Sequence, residues 1–165
     1  NFKWFETKEN NLILNNKDII LVIPGVSKAG QRRQWSPKKF QQLCSYLELR
    51  GYYICIVGTK NDFFALKPII ENCTKIINLI DKSPPEVIYT VALKSKLIIS
   101  NDTGPGHIAA LSNVNILWLA LDNAATKANL SYRNNSHLVL KNSMKELSVD
   151  EVKQYILENN LLNKL

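Results

Sequence analysis

The densest concentration of reactive side chains is the run Asn101-Asp102-Thr103-Gly104-Pro105-Gly106-His107. It follows a wholly apolar segment and opens what reads as a helix. Gly104 and Gly106 let the backbone turn and approach a ligand closely. The free amides of a helix start, aligned with its dipole, attract anions. Thr103 adds a hydroxyl donor, and His107 faces the same place from the first helical turn. Asp102 is a poor partner for phosphate but a good acceptor from sugar hydroxyls. The same residues are open to a plainer reading, in which Asp102 or Thr103 caps the helix.

Two other segments offer polar groups of the same kind. Residues 24–35, PGVSKAGQRRQW, bring Gly25 for close approach, Ser27 as a donor and three cations. Arg33 has the geometry for bidentate contact with a diphosphate; a solvated basic loop is the alternative. The segment matches neither GxGxxG nor a P-loop. Gly58-Thr59-Lys60-Asn61-Asp62 places a carboxylate where a ribose hydroxyl is often bound, at the end of a second strand, although Asp62 could equally be a helix N-terminal charge. No Ser/His/Asp triad, HExxH element or metal-ligand cluster is evident. His137 reads as structural or exposed, and Trp118 as core.

The elements that would carry these loops alternate in type. Apolar runs at 19–23, 53–58, 75–79, 97–100 and 116–121 read as buried strands, with a sixth at 137–140. Helices are predicted from Pro37, behind Ser36 as N-cap and closed by Gly51, and over 62–72 with Pro68 as a kink. Others are expected behind a Ser83 N-cap, over 106–112, and over 148–159 capped by Ser148. This pattern predicts an α/β fold with a doubly wound, mostly parallel sheet. Ligands of such sheets bind beyond the carboxyl ends of the strands, where all three polar segments fall. Residues 1–18 are polar and irregular, a linker or docking segment with Trp4 and Phe5 as packing anchors. Residues 19–165 form the domain.

Composition narrows the partners. At 165 residues, 45% hydrophobic and 21% charged, the chain suits one globular domain. Cys44, Cys55 and Cys73 are spaced for neither a disulfide framework nor zinc and read as buried thiols. The net charge of +7 is compatible with a phosphorylated ligand or peripheral contact with an anionic membrane. Its scatter along the chain argues against nucleic acid. No apolar run reaches membrane-spanning length and no signal peptide opens the chain, so a cytoplasmic protein is expected, at most peripheral at the inner face of the inner membrane.

Taken in order, Pro24-Gly25, a basic residue two before Trp35, Gly58 with Asp62, and Asp102-Thr103-Gly104-x-x-His107 resemble glycosyltransferase family 9, the ADP-heptose:lipopolysaccharide heptosyltransferases. The resemblance covers about residues 19–120, with 148–160 similar to the family's closing helix. It implies one Rossmann-like half of a GT-B two-domain architecture, the half that holds the donor. It implies Ser27 and Arg33 at the diphosphate, Asp62 at the ribose and the backbone near Lys82 and Ser83 at the adenine edge. Thr103, Gly104 and His107 would line the phosphate side, with Asp102 at the sugar. It also implies no cofactor or metal, an ADP-sugar substrate and a lipopolysaccharide core acceptor. The catalytic carboxylate would come from an N-terminal domain preceding residue 1, leaving the isolated chain inactive. The family usually has Lys at Arg33, often Glu at Asp62, and a Phe-Gly-Pro-type turn where this chain reads Ala120-Leu121-Asp122-Asn123. Two rivals are a nucleotide-sugar epimerase of the same architecture and a non-catalytic basic module.

Overall fold

A computed structural model describes residues 17–162; the expectation for Trp4 and Phe5 lies outside them. Six strands form one sheet: β1 (Ile19–Ile23), β2 (Tyr53–Gly58), β3 (Ile76–Ile80), β4 (Ser95–Asn101), β5 (Ile116–Leu121) and β6 (Ser136–Lys141). Their order is β3-β2-β1-β4-β5-β6, and every pairing is parallel. Among the described residues, six α-helices connect or follow them: α1 (Pro37–Leu49), α2 (Phe63–Asn72), α3 (Pro85–Lys94), α4 (Gly104–Ala110), α5 (Ala124–Leu130) and α6 (Val149–Glu158).

The continuous apolar strands are explained by burial on both faces. Within β1, Ile20 and Val22 join Phe40, Leu43 and Leu47 of α1, Ile69 of α2, and Val152 and Ile156 of α6 in one core. The alternate residues Ile19, Leu21 and Ile23 face the other core with Val91 of α3, Ala109 of α4 and Leu130 of α5. The period of two along a strand thus sorts one apolar run into two layers.

Local signals fix most boundaries. Gly51 closes α1 at φ +94°, in the left-handed region open to glycine. Ser148 and Glu151 form a reciprocal capping box at α6. Ser36 occupies the N-cap position of α1 ahead of Pro37, as expected, although its side chain makes no capping bond. Two expectations change. Pro84, not Ser83, occupies the N-cap position of α3, because the Ser83 hydroxyl instead accepts the Gly58 N–H at 3.2 Å. The helix expected over 106–112 begins two residues earlier, at Gly104. Helix α5 has no counterpart in the sequence prediction; its Asn123 cap accepts from the Thr126 N–H at 2.9 Å.

The strand order reverses direction between β1 and β4, which are neighbours in the sheet. At such a switch point the loops leaving two adjacent strands turn to opposite faces and leave a crevice between them.

Candidate functional site

That crevice is occupied by a cleft of about 610 Å³, inside the usual range of roughly 300–1,000 Å³ for small-molecule sites. Three loops line it. The loop after β1 contributes Gly25, Val26, Ser27 and Lys28, the loop after β2 contributes Thr59, Asn61 and Asp62, and the start of α4 contributes Thr103, Gly104 and Pro105. Of the residues predicted from sequence, Ser27, Asp62, Thr103 and Gly104 therefore share one cleft.

Thr103 and Ser27 both present hydroxyls. Thr103 sits at the N-cap position of α4, yet its side chain makes no capping bond. Ser27 stands in the same relation to the 3-10 helix at Lys28–Arg33. Asp62 is locally engaged: Oδ2 accepts the Thr59 N–H at 2.8 Å and the Thr59 hydroxyl at 3.0 Å. The helix-charge reading of Asp62 is thus realised, and the residue also lines the cleft. A Cβ on Gly25 would run into the Asp62 carboxyl, so the two loops approach closely here and a larger residue would force that carboxyl to move.

The two glycines of the 101–107 run serve different ends, and neither has a left-handed φ. A Cβ on Gly106 would meet Ser100 Oγ at 2.5 Å and the Trp118 ring at 2.6 Å, so Gly106 lets α4 lie close on β4 and β5. A Cβ on Gly104 would meet nothing within 4 Å. Gly104 leaves open space on the cleft wall, into which backbone amides of the first helical turn are free to donate.

Arg33, Asp102 and His107 form a chain beside the cleft. Asp102 accepts from Arg33 Nη1 through Oδ2 at 3.3 Å, and its Oδ1 lies 3.2 Å from His107 Nε2. The imidazole bond is the leading cause that holds the Asp102 carboxyl below the usual aspartate range; the Arg33 charge adds to it, and burial opposes it. An ionised carboxylate only accepts, so Nε2 carries the proton in this contact. The His107 ring also packs against Trp118, centroids 5.1 Å apart. Trp118 is buried as expected, and its indole N–H donates to Ser136 Oγ at 3.2 Å. Asp102 and Thr103 are thus not spent on capping the helix.

Lys82 and Ser83 lie outside the cleft lining. The Lys82 N–H donates to the Leu79 carbonyl at 3.0 Å. Nearby, Asp81 at φ +55° accepts the Lys60 N–H at 2.9 Å and gives its own N–H to the Gly58 carbonyl. This ties the loops after β2 and β3 together.

The sequence reading overlooked Asn101. It is fully buried. Its Oδ1 accepts the Trp35 N–H at 3.0 Å and its Nδ2 donates to the Pro24 carbonyl at 2.9 Å. Pro24 and Trp35 are the two ends of the loop that carries Ser27 and Arg33, so one amide pins both. A polar residue at the carboxyl end of a strand with an apolar centre, Leu97–Ile99, was the available signal.

This geometry gains its context from comparison. A family model for glycosyltransferase family 9 (heptosyltransferase) matches residues 2–150. The chain belongs to that family. No match is found among curated protein sequences. Among solved structures, the family 9 chain is similar to E. coli ADP-heptose lps heptosyltransferase II, with TM-score 0.75, 16% identity, and coverage of 94% of this chain and 53% of that one. A family 9 glycosyl transferase from Veillonella parvula gives 0.74 at 18% identity, covering 89% and 47%. E. coli heptosyltransferase WaaC with ADP gives 0.69 at 18%, covering 90% and 46%. The family 9 chain thus has the Rossmann-like fold of one GT-B half and spans about half the length of these enzymes. No helix among the described residues is long and apolar enough to cross a membrane.

Proposed function

We propose that this chain is the donor-binding half of a heptosyltransferase that takes ADP-heptose and transfers the sugar, with inversion, to a lipopolysaccharide core acceptor. The observation that carries the reading is the cleft at the switch point, where Ser27, Asp62, Thr103 and Gly104 converge beside the Arg33–Asp102–His107 chain. The solved relative WaaC, of similar fold, was obtained with ADP.

In this reading the nucleoside diphosphate occupies the cleft. The Ser27 and Thr103 hydroxyls and the amides at the start of α4 bind its phosphates, and Asp62 accepts from the ribose. Lys82 and Ser83 remain candidates for the adenine edge through backbone groups not already engaged. The sugar lies toward Asp102. As the glycosidic bond breaks, negative charge builds on the departing ADP. Arg33, His107 and the helix amides are placed to offset it, the work a divalent cation does elsewhere, so transfer proceeds without one. A carboxylate of an N-terminal domain, outside this chain, removes the acceptor proton and supplies the second lip of the cleft.

Thermal shift and calorimetry test the donor half directly. ADP raises the melting temperature of the chain and UDP raises it less, whereas a nucleotide-sugar epimerase would reverse the order. The chain alone transfers no sugar to a lipid A core acceptor, because holding acceptor, base and donor together is worth about 7–11 kcal/mol. Transfer by residues 1–165 alone would show that the base lies here, with Asp102 the first residue to substitute. A UDP preference would overturn the ADP-sugar assignment.

A further inference from the structure

Beyond Arg33, on the side away from the nucleotide cleft, lies a second cleft of about 720 Å³. It runs between the 3-10 helix at Lys28–Arg33 and the loop that follows β6. Arg32, Arg33 and Lys145 line it together with the neutral polar groups of Asn142 and Ser143, over a floor that includes Leu121. Its lining contains three cations and no carboxylate.

The acids around it are paired or exposed. Asp102 is held by Arg33 and His107, Asp122 by Lys127 at 2.5 Å, and Glu151 by Lys141 at 2.6 Å. Glu146 is exposed on the loop. A further positive charge backs the rim: Lys39 Nζ donates to the carbonyls of Lys145 at 2.8 Å and Leu147 at 2.7 Å. It has no carboxylate partner among the described residues. These bonds also anchor the 145–147 loop to α1, so Lys145 is presented from a fixed edge.

Like charges gathered around a concave surface, with neutral donors between them, create a field and a hydrogen-bonding geometry suited to an oxyanion. Arg33 lines the second cleft, and its partner Asp102 is the chain neighbour of Thr103, which lines the first. A sugar leaving a donor in the first cleft would pass this pair toward the second. We propose that the second cleft is a subsite for an anionic substituent, phosphate or carboxylate, on the saccharide that receives the transferred sugar. The role of that saccharide as acceptor rests on the reading given above; the anion subsite rests on the lining itself.

The test titrates the chain, saturated with ADP, with glucose 6-phosphate, with glucuronate and with glucose, followed by calorimetry and by amide shifts of residues 142–145. At least one acidic sugar binds while ADP is present, and glucose does not. Which of the two binds identifies the substituent. The double variant Arg32→Ala/Lys145→Ala weakens that binding on the order of tenfold and leaves ADP affinity unchanged; both side chains are exposed, and an unchanged melting temperature confirms the fold. The subsite is overturned if ADP displaces the acidic sugar, if the double variant binds it as the parent does, if glucose binds equally well, or if neither acid binds. Should ADP fail to bind while the acidic sugar binds in the variant-sensitive way, the donor reading falls and the subsite stands.

Discussion

Trp35 and Asn101 are joined by a hydrogen bond of 3.0 Å from the backbone N–H of the one to the side-chain carbonyl of the other, across 66 positions of sequence. The same amide reaches Pro24, so the loop between residues 24 and 35 is clamped at both ends. In Asn101→Ala the buried Trp35 N–H loses its partner, at about 1–3 kcal/mol for a group left unsatisfied, while the Pro24 carbonyl keeps only the bond from the Gln34 amide. Urea denaturation should show the loss, and calorimetry a weaker grip on ADP. Asn101→Asp keeps the acceptor for Trp35 but cannot donate to Pro24, and buries a charge; it should be no better than Ala. A variant with parental stability would remove the clamp from the account.

Gly106→Ala adds a methyl group into space already held by Ser100 and Trp118. Overpacking of this kind costs about 1–3 kcal/mol, and the melting temperature should fall accordingly. Gly104→Ala, two residues earlier, meets open space and should leave stability close to the parent while reducing nucleotide affinity. Equal stability effects at the two positions would contradict the packing described.

Arg33→Ala should weaken ADP binding by about 1.5–3 kcal/mol, the range for a hydrogen bond to a charged group. Its pairing with Asp102 is partly exposed, 39% on the Arg33 side chain, and such pairs contribute about 0–1 kcal/mol to stability. Calorimetry and thermal melts on one sample separate the two effects. Unchanged affinity would take Arg33 out of the diphosphate site.

Asp102 makes stability depend on acidity. Its folded carboxyl titrates below the ordinary aspartate range, so the native state binds its proton less readily than the unfolded chain, whose aspartates titrate near about 3.9. The stabilisation is present in full above that value and is lost as the pH falls through the lower folded value. In Asp102→Asn this part of the acid limb should disappear when unfolding free energy is followed from pH 6 to about pH 3. An acid limb identical to the parent's would show that the Arg33–Asp102–His107 chain does not contribute.

The strands were legible because burial on both faces demands unbroken runs such as Ile19–Ile23 and Ile116–Leu121, and their alternation with helices left little choice but a parallel sheet. The convergence of Ser27, Asp62, Thr103 and Gly104 followed from topology: loops at the carboxyl ends of adjacent strands must meet. What remained hidden depends on contacts between distant segments. Asn101 looks like a turn residue until Pro24 and Trp35 are brought beside it. Arg33 looks free until Asp102 appears 3.3 Å away. Helix α5 escaped because Ala124–Leu130 buries only Thr126 and Leu130, too few apolar positions to display a helical period. The second cleft is assembled from residues 29–34, Leu121 and 142–145, and none of these segments signals a site by itself.

The near contact of Gly25 with Asp62 bears on how this surface can be re-engineered. The loops after β1 and β2 interlock like two cut faces of one joint, and Asn101 fastens the first of them to β4. Exchanging residues 24–35 alone for those of a relative would set a new loop against an Asp62 shaped for the old one. Any residue larger than glycine at position 25 would then demand a different carboxylate geometry across the joint. The lining of this cleft is therefore portable only as a set, with residues 24–35, 58–62 and 101–107 moved together.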